Sequence, residues 1–522
     1  MFETELKNAE AWIDNNHASL ISDLRDLVKI PSISTDGEHQ KEIELSAELV
    51  CQQMKKAGLN NVEILRTGDS NPFAYGEWLG APNQPTLFLY SHHDVQPINY
   101  EHLWLSPPWE LTAREGRLFG RGAADDKGAS VAQLAAIASW LKTAGKLPVN
   151  VKMLVEGEEE VGSKNLVKFF SENRSRIQAD IIVVCDTENI RVGLPSITYS
   201  LRGIVTLLVE VKSALIPVHS GMAGGAFADS ALALAKVLSK LCWEDGPIPI
   251  QGFNDSVKPL TDSERKVIES LPVDSDALRK SLGVPDHVKF ALQKGKSIYE
   301  QTWRHPAVTV IAIEASNIKG ASNQVLPTAS ALVSCRIVPD HVKFALQKGK
   351  SIYEQTWRHP AVTVIAIEAS NIKGASNQVL PTASALVSCR IVPDQDPKHV
   401  EELLRKALSA DAPWGVEVKV TAHGSSVDWW MTDPKGPAFE AAIAALEKGF
   451  KAKPVGIGCG GTIGFVRPLV ELLGGAPALL LGIEDPDSNA HAPNESLHEG
   501  DWIKLIKSMA HLFGEIASRS AK

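Results

Sequence analysis

Four stretches of the sequence decide the fold: TLFLYSHHD at residues 86–94, VKMLVEGEEE at 151–160, DIIVVCD at 180–186 and PALLLGIEDPDSNAH at 477–491. Each contains a short apolar run and then turns polar. An apolar run of roughly four to eight residues is typical of a strand that is covered on both faces, as in parallel sheets. The sequence therefore predicts an α/β protein with a mixed, largely parallel sheet and helices on both of its faces.

The polar residues that follow these runs are mostly acids and histidines. Because parallel strands end at the same edge of a sheet, and open α/β sheets bind ligands at that edge, we expect these side chains to form one site. A further acid comes from LFGRGAADDKG at 118–128. The candidate residues are His92, Asp94, Asp125, Glu159, Glu160, Asp186 and His491.

These residue types suit a pair of divalent metal ions. Zinc accepts imidazole nitrogen and carboxylate oxygen, and a catalytic site keeps one position open for water. Two ions about 3.5–4 Å apart can activate water and stabilise oxyanion charge, as hydrolysis of a stable amide requires. One bridging Asp with two further ligands for each ion uses five side chains, and the remaining Asp and Glu can orient an imidazole and act as general base. We therefore expect two divalent ions, zinc first, with manganese or cobalt as alternatives.

The rest of the chain indicates an inserted domain. We expect helices at 3–29, at 41–57 and, strongly amphipathic, at 127–145. After residue 200 the pattern changes to β-branched alternation with a helix at 227–241, and the first pattern returns near the end, where His491 rejoins the early candidates. Residues 1–200 and 427–522 are therefore predicted to form one catalytic domain, and residues 201–426 an α+β domain inserted into it.

An exact tandem repeat lies inside that inserted domain. Residues 284–337 recur without change as residues 338–391. Repeat architectures need several diverged copies, so two perfect copies indicate a recent duplication, an engineered insertion or an error of sequence assembly. Each copy should add a helix (287–301 in the first), a strand AVTVIAIE and a strand ASALVSCRIV. The domain has one place for them, filled by either copy or a hybrid, and surplus strands would leave an exposed edge.

Composition excludes several function classes. The net charge of -9 is spread along the chain without a basic face, which argues against a nucleic-acid partner. No apolar run approaches the roughly 18 residues of a membrane span. The N-terminal stretch MFETELKNAEAWIDNN is acidic and amphipathic and has no apolar signal core, so we expect a cytoplasmic protein.

Seven motifs together resemble those of the carnosinase-like dinuclear metallopeptidases. They are YSHHDVQP (90–97), LFGRGAADDKG (118–128), EGEEEVGS (156–163), PSITYSLRG (195–203), HSGMAGG (219–225), CGGTIG (459–464) and HAPNE (491–495). The family also includes succinyl-diaminopimelate desuccinylase, acetylornithine deacetylase and glutamate carboxypeptidases. The match covers essentially the whole chain apart from one repeat copy, although Gly464 stands where the family often has Pro.

The resemblance implies a role for each candidate residue. His92 and Asp186 would bind the metals, Asp125 would bridge them, and Glu160 and His491 would complete the pair. Asp94 would orient His92, and Glu159 would be the general base.

The resemblance also implies that the inserted domain acts as a lid and forms a homodimer. His219 would reach across the dimer to polarise the substrate carbonyl. An Arg in SCRIVP would hold the substrate carboxylate, and the repeat offers Arg336 and Arg390, of which Arg390 is preferred because its strand leads into the unduplicated PKHVEELLRKAL. Further substrate-binding candidates are Asn323 and Asn377, the two copies of one position, and Gly461 and Thr462.

Several of these residues have structural alternatives. His93 could replace His92 as a ligand, but the two should point to opposite faces of a strand. Asp126 is better interpreted as an acid at a helix N-terminus, stabilised by the helix dipole. Composition does not distinguish Glu158 from Glu159 and Glu160. Taken alone, His219 would be an ordinary loop histidine.

The function expected from the resemblance is hydrolysis of the peptide bond in dipeptides or short peptides. Asp186 follows a VVC strand, where desuccinylases and deacetylases usually carry Glu, and this favours the dipeptidase branch. The alternatives are an N-acyl amino acid deacylase or desuccinylase using the same site, and a catalytically impaired metal-binding scaffold, which should lack a ligand or the base.

Overall fold

The computed structural model describes residues 2–215, 218–219, 225–241, 246–272, 275–281, 283–314, 330–336, 361–368, 378–379, 382–424 and 426–520. Within these ranges the chain forms two compact units. Unit 1 comprises Met1–Leu201, Thr261–Lys289 and Trp430–Lys522, and unit 2 comprises Arg202–Leu260 and Phe290–Trp429. No helix in the described ranges is long and apolar enough to cross a membrane.

The helices, in chain order, are α1 (Glu3–Asn15), α2 (His17–Val28), α3 (Gln40–Ala57), α4 (Lys127–Ala144), α5 (Leu166–Glu172), α6 (Arg174–Ile177), α7 (Ser230–Leu238), α8 (Asp262–Ser270), α9 (Ser275–Ser281), α10 (Ile298–Arg304), α11 (Pro397–Ser409), α12 (Pro437–Phe450), α13 (Val466–Leu472) and α14 (Glu499–Ser520). Short 3₁₀ turns occur at Glu101–Leu103, Glu159–Val161, Ser239–Leu241 and Pro413–Gly415.

The strands, in the same order, are β1 (Asn60–Leu65), β2 (Phe73–Trp78), β3 (Thr86–His92), β4 (Thr112–Arg114), β5 (Arg117–Phe119), β6 (Asn150–Glu156), β7 (Ile181–Glu188), β8 (Ser196–Leu201), β9 (Gly203–Lys212), β10 (Val218–His219), β11 (Ala307–Glu314), β12 (Ser330–Arg336), β13 (Ala361–Glu368), β14 (Gln378–Val379), β15 (Thr382–Ile391), β16 (Glu417–Ala422), β17 (Trp430–Met431), β18 (Val455–Cys459), β19 (Ala478–Glu484) and β20 (Ser496–His498).

The main sheet of unit 1 has the order β1-β2-β6-β3-β7-β19-β8-β17, and β18 also pairs with β8. Its centre consists of β6, β3, β7 and β19, which are neighbours and run parallel. These are the four strands predicted from the apolar runs. Strands β1, β2 and β17 add antiparallel pairs at the two ends.

Helices cover both faces of this sheet. Leu87 and Leu89 of β3 join a core that contains residues of α1–α4, α12 and α14, whereas Phe88 and Tyr90 join a separate core with residues of α5 and α13. Alternate residues of a strand point to opposite faces, so one apolar run supplies both cores. The predicted mixed, largely parallel sheet between two helical layers is confirmed.

Three predicted helices need correction. The helix expected at 3–29 is two helices, because Asn16 ends α1, with its side-chain amide donating to the Trp12 carbonyl at 2.8 Å. Helix α4 is not amphipathic, since residues 127–140 are all buried. The helix expected at 287–301 is confined to α10, because Gly295 has a φ of 79° and the Ser297 side chain caps the helix start at Glu300 N.

The sheet of unit 2 shows how the repeat is used. Its order is β12-β13-β11-β15-β9-β16. Strand β15, from the second copy, pairs with β9 along its length and with β11, from the first copy, so the inner sheet is a hybrid of the two copies. Strands β12 and β13 pair with each other from Ser330↔Glu368 to Arg336↔Ala361. The register between β13 and β11 has one described pair, Glu314↔Glu368.

The surplus strands therefore lie at the edge of the sheet. Helices α7 and α11 share a core with the inner strands β9 and β15. The helix expected in the second repeat copy lies outside the described residues.

Candidate metal centre

The parallel strands bring the candidate residues to one edge of the unit 1 sheet. His92 is the last residue of β3, and Asp186 lies near the end of β7. Glu159 and Glu160 follow β6, and His491 lies on the segment after β19. Asp125 is in the turn that leads into α4.

The first group that could hold a metal ion contains His92, Asp125 and Asp186. The Nε2 atom of His92 lies 3.0 Å from Oδ1 of Asp125 and 3.9 Å from Oδ1 of Asp186. His92 is fully buried, which alone would lower its pKa, but hydrogen bonds to Asp125 and Asp94 and the charge of Asp186 raise that pKa well above its usual value. The imidazole is thus surrounded by carboxylates.

The second group contains Asp125 again, with Glu160 and His491. The Nε2 atom of His491 lies 2.9 Å from Oδ2 of Asp125 and 3.2 Å from Oε2 of Glu160. Asp125 therefore presents one carboxylate oxygen to each group. This is the arrangement that a carboxylate shared between two cations requires.

One neighbouring residue, Asp94, orients the ligand candidates. The Nδ1 atom of His92 lies 3.0 Å from the backbone carbonyl oxygen of Asp94 and 3.5 Å from Oδ1 of the Asp94 carboxylate. The same carboxylate accepts hydrogen bonds from the backbone N–H groups of Glu159 and Glu160, at 3.1 and 3.0 Å, and from the Ser34 hydroxyl at 2.7 Å. Asp94 thus fixes both the imidazole ring and the turn that carries Glu160.

The three consecutive glutamates have different surroundings. Glu158 accepts hydrogen bonds from the backbone N–H groups of Asn71 and Asn165, at 3.2 and 2.7 Å, and is therefore a structural residue. Glu160 belongs to the second group. For Glu159, loss of solvent and the charges of Glu160 and Asp125 raise the pKa to about 8, because they outweigh the opposite effect of His92.

His93 and Asp126 lie beside the cluster but belong to neither group. The Nε2 atom of His93 is 3.2 Å from the Pro72 carbonyl oxygen, and burial lowers the His93 pKa to about 4. The Asp126 carboxylate accepts the His92 backbone N–H at 3.2 Å. A cis peptide bond joins Asp126 to Asp125, and Asp126 directly precedes the first residue of α4. This position at the helix N-terminus agrees with the prediction for Asp126, and burial raises its pKa well above the usual value.

The electrostatics of the cluster fit divalent cations. Burial raises the pKa of Asp186 well above its usual value, and Asp126, Glu159 and Asp125 raise it further. Acids that oppose one another's ionisation are the donors that a bound dication stabilises in the charged form. One imidazole and two carboxylates per group match the donor chemistry of zinc and its neighbours.

Two polar residues at this edge were not among the sequence candidates. Gln96 donates from Nε2 to Oε2 of Glu160 at 2.8 Å. Glu484 is the last residue of β19, where burial and then the charges of Asp125 and Asp186 raise its pKa well above the usual value. The signal for Glu484 was available, because it directly follows the apolar run LLLGI as the other candidates follow theirs.

The substrate-binding candidates fall in different parts of the fold. Arg390 lies on β15 and Arg336 on β12, both in unit 2. His219 lies on β10, paired with Gln378 of β14. Gly461 and Thr462 follow β18 in unit 1, where the Gly461 N–H donates to the Cys459 sulfur at 3.2 Å. Asn323 and Asn377 lie outside the described residues.

Several known proteins are similar to this chain over most of its length. A family model for peptidase family M20/M25/M40 matches residues 88–515. The chain is 30% identical over 484 residues to a cysteinylglycine-S-conjugate dipeptidase of Corynebacterium striatum, covering 92% of each protein. It is 25% identical over 526 residues to a Cys-Gly metallodipeptidase of Schizosaccharomyces pombe, covering 97% of this chain and 98% of that protein. The crystal structure of human carnosine dipeptidase 1 matches the fold with a TM-score of 0.79 at 24% identity, covering 98% and 99% of the two chains.

Proposed function

Because the chain belongs to peptidase family M20/M25/M40, we propose that it hydrolyses the peptide bond of dipeptides at the cluster around Asp125. The observation that carries this proposal is the division of the Asp125 carboxylate, with one oxygen toward His92 and the other toward His491. The names of the two relatives, both dipeptidases, favour a dipeptide as substrate.

Two divalent ions would be held by five side chains. His92 and Asp186 would bind one ion, Glu160 and His491 the other, and Asp125 both. We propose zinc as the native metal, since histidine and carboxylate ligands suit it, although manganese and cobalt accept the same donors.

The ions would supply a Lewis acid for the carbonyl oxygen and an activated water. Glu159 accepts the proton of the attacking water and passes it to the leaving amine, because it is the one glutamate of the three that neither belongs to a ligand group nor is bound by backbone N–H groups in the described residues. Asp94 keeps the His92 ring in its orientation.

The resemblance to the family also implies the remaining substrate contacts. We propose that His219 polarises the substrate carbonyl across a homodimer, and that Arg390 rather than Arg336 holds the substrate carboxylate. The position of β15 supports this choice, since it lies between β9 and β11, whereas β12 is a terminal strand in the order of the sheet. Asn377 or Asn323, with Gly461 and Thr462, would line the same site, and the cytoplasmic location stays a prediction from the N-terminal sequence.

The proposal is tested by removing metal and then adding it back in the presence of a substrate panel. The panel contains dipeptides with free amino groups and N-acyl amino acids with the same C-terminal residues. We expect dipeptide turnover to disappear with the metal and to return with zinc, manganese or cobalt. Turnover of N-acyl amino acids alone would instead establish a deacylase, and turnover without metal would contradict the metal-dependent mechanism.

A further inference from the structure

The segment 491–495 brings a second residue, Glu495, into contact with the metal centre besides His491. Four residues after His491, the carboxylate of Glu495 is fully buried against the turn at residues 120–125. Its Oε1 atom accepts the backbone N–H groups of Ala124 and Asp125, at 2.9 and 3.1 Å. Its Oε2 atom accepts the Gly122 N–H at 2.9 Å and the Arg121 guanidinium at 2.7 Å.

These contacts determine where Asp125 can lie. The Gly122 backbone has a φ of 80°, a conformation that glycine adopts without strain, and the turn therefore directs successive N–H groups toward one point. Glu495 occupies that point with a carboxylate that is paired with Arg121, and charge-assisted hydrogen bonds are roughly twice as strong as neutral ones. The Glu495 carbonyl also accepts the Gly120 N–H at 3.0 Å, so the whole turn is attached to this one residue.

The same attachment links the two ligand groups. Asp125 belongs to both groups, and His491 belongs to the second. Because Glu495 is joined to His491 through a short segment of chain and to Asp125 through its hydrogen bonds, it fixes the distance between these two ligands. Nothing in the function described above assigns Glu495 a role.

We propose that Glu495 is a positioning residue for the metal pair, which holds the shared Asp125 carboxylate in register with His491. The proposal rests on the proposed function, since it requires that the cluster binds metal. The alternative to this positioning role is a purely structural one, in which the Glu495–Arg121 pair stabilises the fold and leaves metal binding unaffected.

A second buried arginine–carboxylate pair in the same unit provides a matched control. Arg117 donates both terminal nitrogens to Asp485, each at 3.0 Å, and Asp485 also accepts the Asp487 backbone N–H at 2.9 Å. Asp485 belongs to neither metal-binding group of the described residues. Asp485→Asn and Glu495→Gln therefore remove a similar buried charge, with only the second touching the turn of Asp125.

The experiment measures metal affinity by competition with a chelator, the visible absorption spectrum of the cobalt-loaded protein, and the thermal unfolding of the metal-free protein. Glu495→Gln should weaken metal binding by about 10- to 100-fold, as loss of an outer-shell partner typically does, and should alter the cobalt spectrum. Asp485→Asn should lower the unfolding temperature but keep wild-type metal affinity within about twofold, because the hydrogen bonds of its carboxylate go to Arg117 and the Asp487 N–H rather than to a ligand residue or the turn of Asp125.

Glu495→Asp keeps the charge on a shorter side chain. Its metal affinity should fall between those of wild type and Glu495→Gln. If Glu495→Gln does not fold, Glu495→Asp takes its place in the comparison with Asp485→Asn. If the Glu495 variants lose stability as Asp485→Asn does, yet keep the wild-type affinity and cobalt spectrum, the positioning role is wrong. A wild-type protein that binds no metal would overturn the proposed function instead.

Discussion

The main sheet of unit 1 and the six-stranded sheet of unit 2 differ in how the sequence assigns each strand to its place. In unit 1 the strands β3, β6, β7 and β19 differ from one another in sequence, and each delivers different polar residues to the sheet edge. In unit 2 the repeat supplies two identical strands for each of two positions, and the inner part of the sheet uses one from each copy, with the other two at the edge. A unique sequence thus gives each strand one place, whereas an exact repeat leaves the choice to the connections of the chain.

Connectivity explains why the hybrid forms. Strand β11 follows α10 in the first copy, which continues from the unduplicated chain before residue 284, and β15 leads directly into the unduplicated α11. Of the residues between these two strands, 315–368 number as many as one repeat and amount to an insertion between two inner strands. Because the copies are identical, deletion of 315–368 and deletion of 284–337 give the same protein.

From this difference between the units, we expect a change of a single atom in unit 1 to lower turnover more than removal of an entire repeat from unit 2 does. The largest effect is expected for Glu159→Gln, which keeps the shape of the side chain but removes the base. Turnover should fall by about 10²- to 10⁴-fold, the usual contribution of general base catalysis. Metal content, measured by atomic emission, should stay at the wild-type value.

Glu158→Gln is the matched control for this variant, because Glu158 is held by Asn71 and Asn165 rather than by the cluster. It should affect stability more than turnover. Loss of metal from Glu159→Gln would show that Glu159 is a ligand and not the base.

The next effect concerns the shared carboxylate. Asp125→Ala should lose at least one metal ion per chain, since its two oxygens face both ligand groups, whereas Asp126→Ala should retain both ions. Metal content after dialysis measures the difference. Equal loss in both variants would contradict the assignment of Asp125 as the bridge.

The repeat itself provides an internal control for the substrate carboxylate. Arg390→Ala should raise the KM for dipeptides by about 10- to 100-fold, which corresponds to a hydrogen bond to a charged group worth roughly 1.5–3 kcal/mol. Arg336→Ala changes the same repeat position on β12 and should leave KM unchanged. The reverse result would mean that the first copy of this strand, and not the second, serves the substrate site.

A smaller effect, on the free energy of unfolding, is expected from protonation of His93 as the pH falls. Burial lowers the pKa of His93 to about 4 from a usual 6.5, so the unfolded chain binds the proton more readily between these values. The stability that His93 contributes is therefore complete above pH 6.5 and is lost as the pH falls toward 4, by up to about 3 kcal/mol. In denaturant titrations, the free energy of unfolding of His93→Gln should depend less on pH than that of wild type. The exposed control His399→Gln should show the same pH dependence as wild type. Parallel curves for wild type and His93→Gln would contradict it.

The smallest effect on stability and activity is expected from the largest change in sequence, the deletion of one repeat copy. Deletion of residues 284–337 gives a 468-residue protein that retains one copy of every inner strand. It should be at least as stable as the full chain, keep the oligomeric state of the full chain and keep kcat/KM within about twofold, because neither β12 nor β13 pairs with β9 or β15. Unfolding or loss of activity at normal metal content would show that the second copy has acquired a role.

The site and the centre of the fold could be predicted from the sequence for one physical reason. Strands buried on both faces appear as continuous apolar runs, and the residues that follow them, such as His92 and Asp186, must lie at the sheet edge. Features that depend on loops could not be predicted in this way. The contacts of Glu495 require a turn whose N–H groups converge, and the break at Asn16 interrupts an apolar period that continues on both sides.

The use of the repeat could not be predicted from strand propensity either. Two identical strands have identical propensity, and only the three-dimensional pairing of β15 with β9 and β11 distinguishes the copies.

The central claim is that a carboxylate shared by two metal ions lies at the edge of the unit 1 sheet. Anomalous diffraction from crystals of the metal-loaded full chain tests it most directly. We predict two peaks about 3.5–4 Å apart, one beside His92 and Asp186, the other beside Glu160 and His491, with Asp125 in contact with both. A single peak, or peaks that Asp125 does not bridge, would contradict the account.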